Sequence, residues 1–237
     1  MIISKDTKLL VVAPHSDDET LGCGGLINKV HSVGGEVNVA LIATFLQCGF
    51  GKWKEESEQY DEYCLLQRGN EFREGLKVLT EGNYQLFQYD EVCRTIEDRA
   101  YIALFDKHPS NYYVSFIEKI VKDRNINLLA FPTKSYFKDH NVINEAVQAV
   151  CRPHFYQGDA IEYSVGNEIE FVPNFFVKLT KDMANKKVEA FKKHVSQVSP
   201  MNHTLSCENV MDRLRCYGRF IYCDYAEPFK IVRISDK

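Results

Sequence analysis

The first fifty residues constrain the fold most, because two apolar strands there enclose a helical stretch. Residues 9–13 have the length and composition of a strand that is buried on both faces. Residues 20–33 carry apolar side chains at helical spacing and end at Gly34-Gly35. A second apolar strand follows at 37–43. This β-α-β order predicts two parallel strands joined by a right-handed crossover.

The rest of the chain continues this alternation to about residue 150 and then changes character. Up to that point we predict a helix over 55–79 that is broken or capped near Gly69 and Gly75, strands over 84–89 and 126–131, and helices over 112–122 and 140–150. After Pro153 we predict strands over 161–165, 170–172 and 175–179, and helices over 181–196 and 205–217. The predicted fold is α/β, with a doubly wound, mostly parallel sheet. Residues 1–152 form its core, and residues 153–237 form a β-rich and helical cap that packs on the core as one structural unit.

The composition is that of an ordinary soluble domain. Hydrophobic residues make up 45% and charged residues 26% of the 237 residues, and the net charge is −4. Because no basic stripe is present, a nucleic-acid partner is not expected. The lysine pairs at 186–187 and 192–193 are interpreted as a solvated helix face. No stretch approaches the roughly 18 apolar residues that a membrane-spanning helix needs.

The eight cysteines are scattered and form no CxxC pair, which disfavours both a disulfide framework and a thiolate zinc site. Reduced thiols in a cytoplasmic protein are the preferred interpretation. The apolar run near the N-terminus is short and is followed at once by acidic residues, so we interpret it as a strand rather than a signal peptide.

Ionisable side chains follow two of the predicted buried strands. The loop after residues 9–13 contains His15, Asp17 and Asp18, and the loop after residues 126–131 ends in Asp139-His140. In an open parallel sheet, ligands bind outside the carboxyl ends of the strands. If the two strands are near neighbours, these side chains converge on one crevice.

Two imidazoles and one carboxylate are a ligand set of catalytic zinc, with a fourth position left for water. His15, His140 and one acid of the Asp17-Asp18 pair supply that set. Such a site lowers the pKa of water to about 7. The other aspartate is then expected to act as general base, with Glu19 and Asp139 as candidates for orienting a ligating imidazole.

Two further interpretations of this region stay open. The acidic run 17–19, followed by Thr20, also fits a helix N-terminus, where carboxylates favour the helix dipole. The glycine-rich run 22–25 fits either a phosphate cradle or close packing of a helix on the sheet. Because the run begins inside the predicted helix and lacks the full dinucleotide pattern, close packing is preferred.

The run His15-Ser16-Asp17-Asp18-Glu19 resembles the HPDDE motif of the PIG-L/LmbE-like deacetylase family, and residues 20–25 continue it in the same way. Asp139-His140 is similar to the second histidine motif of that family. Arg68 with Glu71 looks like its R-x-x-E stretch, and Asp90 resembles an acidic position after it. Segments 194–197 and 225–229 are also similar to family segments, so the resemblance runs through the chain.

The resemblance implies a Rossmann-like fold and zinc-dependent removal of an N-acetyl group from a glucosamine derivative. It assigns the metal ligands to His15, Asp18 and His140, and the general base to Asp17. Arg68 and Asp90 are then expected near the substrate, although surface charge or helix pairing explains these two residues equally well.

The sequence departs from the family at two positions. Ser16 replaces the usual proline, a change that a short polar residue in a turn tolerates. Phe137 stands where many members have a further histidine, which leaves the donor for the developing oxyanion unassigned. Tyr136 is the first candidate for that role, and His194 and His203 are the others.

The sequence thus predicts a zinc-dependent hydrolase that removes an N-acetyl group from an N-acetylglucosamine-type amino sugar or sugar conjugate. The expected partner is that small molecule. The alternative is a catalytically weak sugar- or nucleotide-binding module on the same fold, and Phe137 is the feature that favours it.

Overall fold

A computed structural model of the protein describes residues 2–43, 58–89, 109–166, 171–199 and 204–235. Within these ranges the strands are β1 Lys8–Ala13, β2 Glu36–Leu41, β3 Gln85–Gln88, β4 Leu128–Pro132, β5 Asp159–Tyr163, β6 Phe175–Leu179 and β7 Tyr225–Arg233. The helices are α1 Asp18–Ser32, α2 Glu58–Thr80, α3 Ser110–Arg124, α4 Lys138–Val150, α5 Lys181–Lys192 and α6 Cys207–Phe220.

The seven strands form one sheet in the order β3-β2-β1-β4-β5-β7-β6. β1 pairs in parallel with β2 and with β4, and β3 and β5 extend the parallel part on either side. β7 runs in the opposite direction to the other described strands and pairs antiparallel with β5 and β6. The chain therefore winds outwards from β1 in two directions, which confirms the predicted doubly wound, mostly parallel sheet. The winding reverses between β1 and β4, the place where such sheets bind ligands.

Helices cover both faces of this sheet. Leu9 and Val11 of β1 belong to a core with α1, α2 and α5, whereas Leu10 and Val12 belong to a core with α3 and α4. Successive strand residues point to opposite faces, so a strand between two layers of helices must be apolar at every position. This is why β1 has a continuous apolar sequence and no alternation.

The glycines of α1 bring this helix close to the sheet and to the C-terminal strands. A Cβ atom at Gly22 would lie 2.2 Å from the ring of Tyr163, and one at Gly25 would lie 2.5 Å from Leu179. The Tyr163 hydroxyl in turn donates to the carbonyl of Val12 at 2.8 Å. The prediction that this glycine run serves close packing is confirmed, since no side chain fits between α1 and its neighbours.

The predicted break in α2 is wrong, because the helix continues through both Gly69 and Gly75. A Cβ atom at Gly75 would lie 2.9 Å from Nε2 of His194 and 3.3 Å from the carbonyl oxygen of Ala190. Gly75 is thus explained by the close approach of α2 to α5 and not by a helix end.

The C-terminal third differs from the prediction in two strands. Phe171 and Val172 lie outside any strand, so the strand expected over 170–172 is wrong for these two described residues. The long strand β7 was not predicted, although it joins β5 to β6 within the sheet. Strands β5, β6 and β7 therefore extend the N-terminal sheet, and α5 and α6 pack beside them. A boundary at residue 152 stays a prediction.

The interpretation of the lysine pairs as one solvated face is wrong for Lys187. Its side chain is only 3% exposed, and Nζ donates to Glu227 at 2.5 Å and to the carbonyl of Leu21 at 2.7 Å. Lys187 thus joins α5 to α1 and β7 from inside the protein.

Two further expectations were that the cysteines are reduced and that no helix spans a membrane. The described cysteines, which are Cys23, Cys151, Cys207, Cys216 and Cys223, are all free thiols. Among the helices that the structure describes, none is both long and apolar enough to cross a membrane.

Candidate metal centre

The candidate site lies where β1 and β4 end side by side. β1 ends at Ala13 and α1 begins at Asp18, whereas β4 ends at Pro132 and α4 begins at Lys138. Because β1 and β4 are adjacent and parallel, the two connecting loops open on the same crevice. The predicted convergence of the two loops required neighbouring strands, and β1 and β4 are neighbours.

Three of the predicted site residues lie together in this crevice. One side-chain donor atom from each of His15, Asp18 and His140 can be chosen so that all three lie within 4.8 Å of one another. Oδ2 of Asp18 is 3.4 Å from Nδ1 of His15 and 3.4 Å from Nε2 of His140. The same Oδ2 accepts the backbone N–H of His15 at 2.8 Å, which fixes the direction of the carboxylate.

The electrostatics of this cluster favour a positive charge. Burial acts to raise the pKa of Asp18, but His140 and His15 outweigh it and hold that pKa well below its usual range. Burial likewise opposes protonation of His15, yet the carboxylates of Asp139 and Asp18 raise its pKa to about 10. The carboxylates of this buried cluster thus favour a positive charge beside them, which a proton on His15 or a bound cation can supply.

Asp139 contacts His15 from the side away from Asp18. Its Oδ2 lies 3.0 Å from Nε2 of His15. If Nε2 carries the proton and donates to Asp139, the lone pair of the imidazole lies on Nδ1, which faces Asp18. Carboxylates commonly orient metal-binding imidazoles in this way. The orienting role that the sequence suggested for Asp139 stays a prediction, and this contact is the geometry that it requires.

Asp17 precedes α1 but does not use its side chain as a cap. No hydrogen bond joins its carboxylate to the first turn of the helix. Instead Oδ1 lies 3.6 Å from Nη2 of Arg68, a buried side chain of α2. A side-chain capping bond therefore does not account for Asp17, whose carboxylate faces Arg68 instead.

Arg68 is fixed by contacts that sequence reasoning did not identify. Its Nε donates to Oγ of Ser16 at 3.0 Å, so Ser16 does more than hold the turn. One turn further along α2, Glu71 accepts from the backbone N–H of Ser196 at 2.9 Å and from its hydroxyl at 2.6 Å. The alternative of surface charge does not fit Arg68, which is fully buried. The only sequence signal for these contacts was the R-x-x-E spacing of Arg68 and Glu71.

Tyr136 and Phe137 lie on the loop between β4 and α4 and are largely open to solvent. Tyr136 is 76% and Phe137 is 49% exposed. The ring centroid of Phe137 lies 5.6 Å from that of His140. Asp90 and His203, the other two positions with predicted roles near the substrate, lie outside the described residues.

His194 and Glu19 lie beneath the site. Both are fully buried, with Nε2 of His194 at 3.6 Å from Oε1 of Glu19. Glu19 also accepts the hydroxyl of Thr20 at 2.6 Å, and burial raises the pKa of its carboxyl group. Glu19 therefore contacts His194 and not, as the sequence had suggested, one of the two candidate metal-binding histidines. Full burial also separates His194 from any substrate in the crevice.

These features define a class, an α/β protein with two imidazoles and one carboxylate clustered at the carboxyl ends of its central strands. The model of the PIG-L family, described as GlcNAc-PI de-N-acetylase, matches residues 10–151, which is more than half of the chain. The chain belongs to this family. The predicted membership is thus confirmed, and with it the prediction that the protein is an enzyme, an amide hydrolase of the N-deacetylase type.

Solved structures with the same fold cover nearly the whole chain. N,N'-diacetylchitobiose deacetylase from Pyrococcus horikoshii is 21% identical, with a TM-score of 0.65 over 95% of this chain and 84% of that chain. The zinc-inhibited form of teicoplanin deacetylase is 17% identical, with a TM-score of 0.70 over 98% of this chain and 100% of that one.

The same fold also occurs with a different activity. GalB from Pseudomonas putida, a 4-carboxy-2-hydroxymuconate hydratase, is 16% identical, with a TM-score of 0.69 over 98% of this chain and 99% of that one. At these identities the likenesses show the fold alone. No curated protein matches the chain.

Proposed function

We propose that the protein is a zinc-dependent N-deacetylase that acts on an N-acetylglucosamine-type amino sugar or a conjugate of one. The observation that carries the proposal is the cluster of His15, Asp18 and His140, with Asp17 beside it on the same loop. Family membership supports the reaction, and the similar structures include an N,N'-diacetylchitobiose deacetylase and a teicoplanin deacetylase.

The donor set fits zinc on chemical grounds. Two neutral imidazoles and one carboxylate leave a net positive charge on a bound Zn²⁺, and Asp139 is placed to hold the tautomer of His15 that binding requires. Bound there, zinc would polarise the amide carbonyl and acidify the attacking water. His15, Asp18 and His140 are therefore the proposed ligands.

Asp17 is the proposed general base. Its neighbour Asp18 is engaged by both candidate imidazoles, whereas Asp17 faces Arg68 across 3.6 Å. In this proposal Asp17 takes a proton from the attacking water and later gives it to the leaving amine nitrogen. Arg68 holds the Asp17 carboxylate in place through its charge, while Ser16 fixes the guanidinium.

The remaining assignments concern substrate contacts. Arg68 is proposed near the substrate on the basis of the resemblance, and Nη1 of its buried guanidinium group has no hydrogen-bond partner among the described residues. Asp90 is proposed as a second substrate contact on the basis of the resemblance alone. Tyr136 is proposed as the donor to the developing oxyanion, since its exposed hydroxyl lies on the loop that precedes His140.

A second candidate function is a catalytically weak sugar- or nucleotide-binding module. The observation that favours it is Phe137, a side chain with no polar group at the rim of the cluster, 5.6 Å from the His140 ring. This candidate and the deacetylase differ in whether acetate is released by a protein that holds stoichiometric metal.

The experiment measures zinc content and acetate release together. His15→Ala, Asp18→Ala and His140→Ala are each expected to lower zinc content sharply, because each removes one of three protein ligands. His154→Ala is the matched control, since His154 is an exposed histidine outside the cluster. Zinc content near the wild-type value in all three site variants would refute the ligand assignment. Stoichiometric zinc without acetate release from any amino-sugar substrate would favour the binding module.

A further inference from the structure

Two aromatic rings stand in solvent at the edge of the candidate metal centre. Phe137 contacts the ring of His140, which is buried and lies 3.4 Å from Asp18, yet half of the Phe137 side chain is exposed. Tyr136, the preceding residue, is three-quarters exposed. The Phe137 ring thus contacts His140 of the ligand cluster, while the rest of this aromatic pair is exposed to solvent.

The loop that carries these rings is held by side-chain hydrogen bonds. Asn141 of α4 accepts the backbone N–H of Ser135 at 2.8 Å and donates to its carbonyl at 3.0 Å. The hydroxyl of Ser135 accepts the backbone N–H of Phe137 at 3.0 Å. The rings are therefore presented on a fixed backbone, so a ligand that packs on them meets a surface that is already ordered.

A lysine on the same loop forms an ion pair with α4. Nζ of Lys134 lies 3.0 Å from Oε1 of Glu145, and both side chains are exposed. Lys134 of this loop is therefore engaged by Glu145 of α4. Tyr136 and Phe137 add exposed ring surface beside the candidate site, and such surface is typical of ligand binding.

We propose that Tyr136 and Phe137 form an apolar wall that contacts the substrate next to its reacting amide and selects substrates with an apolar group there. The inference rests on the proposed function, which places the amide at the His15–Asp18–His140 cluster. Two parts of a substrate can supply the apolar group, namely the aglycone of the sugar or an N-acyl chain longer than acetyl. Their shared chemistry is apolar surface within reach of the Phe137 ring.

Three matched compounds separate these sources. Methyl N-acetyl-β-glucosaminide is the reference, phenyl N-acetyl-β-glucosaminide adds an apolar aglycone, and methyl N-butanoyl-β-glucosaminide lengthens the acyl chain. The wild-type protein is expected to show a higher kcat/KM for one of the two apolar compounds than for the reference. The factor expected is about tenfold or more, as apolar pockets give for small differences in apolar size.

Variants then test whether the rings cause that preference. Phe137→Ser is expected to abolish it, so that the apolar compound and the reference have equal kcat/KM in this variant, whereas Phe137→Leu is expected to retain most of it. Because Phe137 is the N-cap of α4, a position where serine is favourable, Phe137→Ser is not expected to unfold the helix. Val33→Ser is the control, since Val33 is an exposed apolar residue at the opposite end of α1.

Tyr136 separates the wall from the proposed oxyanion donor. Tyr136→Phe removes the hydroxyl and keeps the ring, so it is expected to preserve the preference whatever it does to kcat. Tyr136→Ser is expected to weaken the preference. A wild-type protein with equal kcat/KM for all three compounds, or a Phe137→Ser variant that loses activity equally on all three, would overturn the wall.

A binding measurement keeps the wall separate from the deacetylation itself. The dissociation constants of the three compounds are measured on an Asp17→Asn background, with and without Phe137→Ser. If the wild-type protein releases no carboxylate from any compound, but an apolar compound binds more tightly and only when Phe137 is present, the deacetylase fails and the wall stands. Equal dissociation constants for all compounds in both backgrounds would overturn the wall.

Discussion

Two clusters of buried charge lie along α1, and they differ in whether the protein itself balances the charge. At the start of the helix, Asp18 lies between the imidazoles of His15 and His140. Further along, the carboxylate of Glu227 from β7 meets the ammonium group of Lys187 from α5. Both clusters are buried, so both require compensation for lost hydration.

The second cluster, around Glu227, is closed in the sense that protein groups balance all of its charge. Glu227 accepts the backbone N–H groups of Gly25 at 2.9 Å and Leu26 at 2.7 Å as well as the Lys187 ammonium group at 2.5 Å. Lys187 also donates to the carbonyl of Leu21. Each carboxylate oxygen has a donor and the charges cancel, so this cluster can join α1, α5 and β7 without any ligand.

The first cluster, around Asp18, is open in the sense that its carboxylates are not fully balanced by the protein groups that the structure describes. Asp17, Asp18 and Asp139 are buried there, and Arg68 faces Asp17. Oδ1 of Asp139 has no hydrogen-bond partner among the described residues. Carboxylates in excess of cations inside a protein indicate a place for an external positive charge. The comparison suggests that closed buried charge marks structure and open buried charge marks function.

The largest expected effect contrasts the two adjacent aspartates of the open cluster. Asp17→Asn should keep zinc and lower kcat by about 10²–10⁴-fold, the usual contribution of a general base. Asp18→Asn should lower zinc content itself, because Asp18 is the carboxylate between the two imidazoles. Metal analysis and initial rates on the same preparations test both. An Asp17→Asn protein without zinc, beside an Asp18→Asn protein that retains it, would reverse the two roles.

The next effect concerns the closed cluster. Lys187→Met should lower the free energy of unfolding by about 3–5 kcal/mol, since it leaves the buried Glu227 carboxylate without its cation. The double variant Lys187→Met/Glu227→Leu should lose less than the sum of the single variants, because no unpaired charge remains. Denaturant unfolding measures both values, and zinc content per folded chain should stay unchanged. Loss of zinc at full stability would mean that the two clusters are not separate.

Much of the site geometry could be predicted because it depends on local sequence and on one topological rule. Residues 9–13 and 126–131 were identified as buried strands, and their adjacency as β1 and β4 brings His15 near His140. The resemblance supplied the order of the motifs. The helix-capping alternative for Asp17 could be decided only from the structure, where the carboxylate makes no capping bond.

The parts that could not be predicted depend on long-range contacts. β7 was missed because Glu227 and Pro228 interrupt the apolar pattern of a strand, and proline is unfavourable within a sheet. The structure gives Glu227 a partner in Lys187, which is 40 residues away in sequence. Lys187 was interpreted as solvated for the same reason, since its buried partner lies on another element. Gly75 suggested a helix end, whereas in the structure its missing side chain allows α2 to pack closely against α5.

The smallest expected effect tests whether Asp139 belongs to the open cluster. Asp139→Ala removes the carboxylate that lies 3.0 Å from Nε2 of His15, and it should weaken zinc affinity by about 10–100-fold. Asp139→Asn should weaken it less, because the amide oxygen still accepts from the imidazole and only the charge is lost. Activity in both variants should return at higher zinc concentration, since the three ligands remain. Asp182→Asn is the control, as Asp182 is an exposed carboxylate on α5. Zinc affinity unchanged in Asp139→Ala would show that the contact with His15 does not orient a metal ligand, and the open cluster would then consist of Asp17, Asp18 and the imidazoles alone.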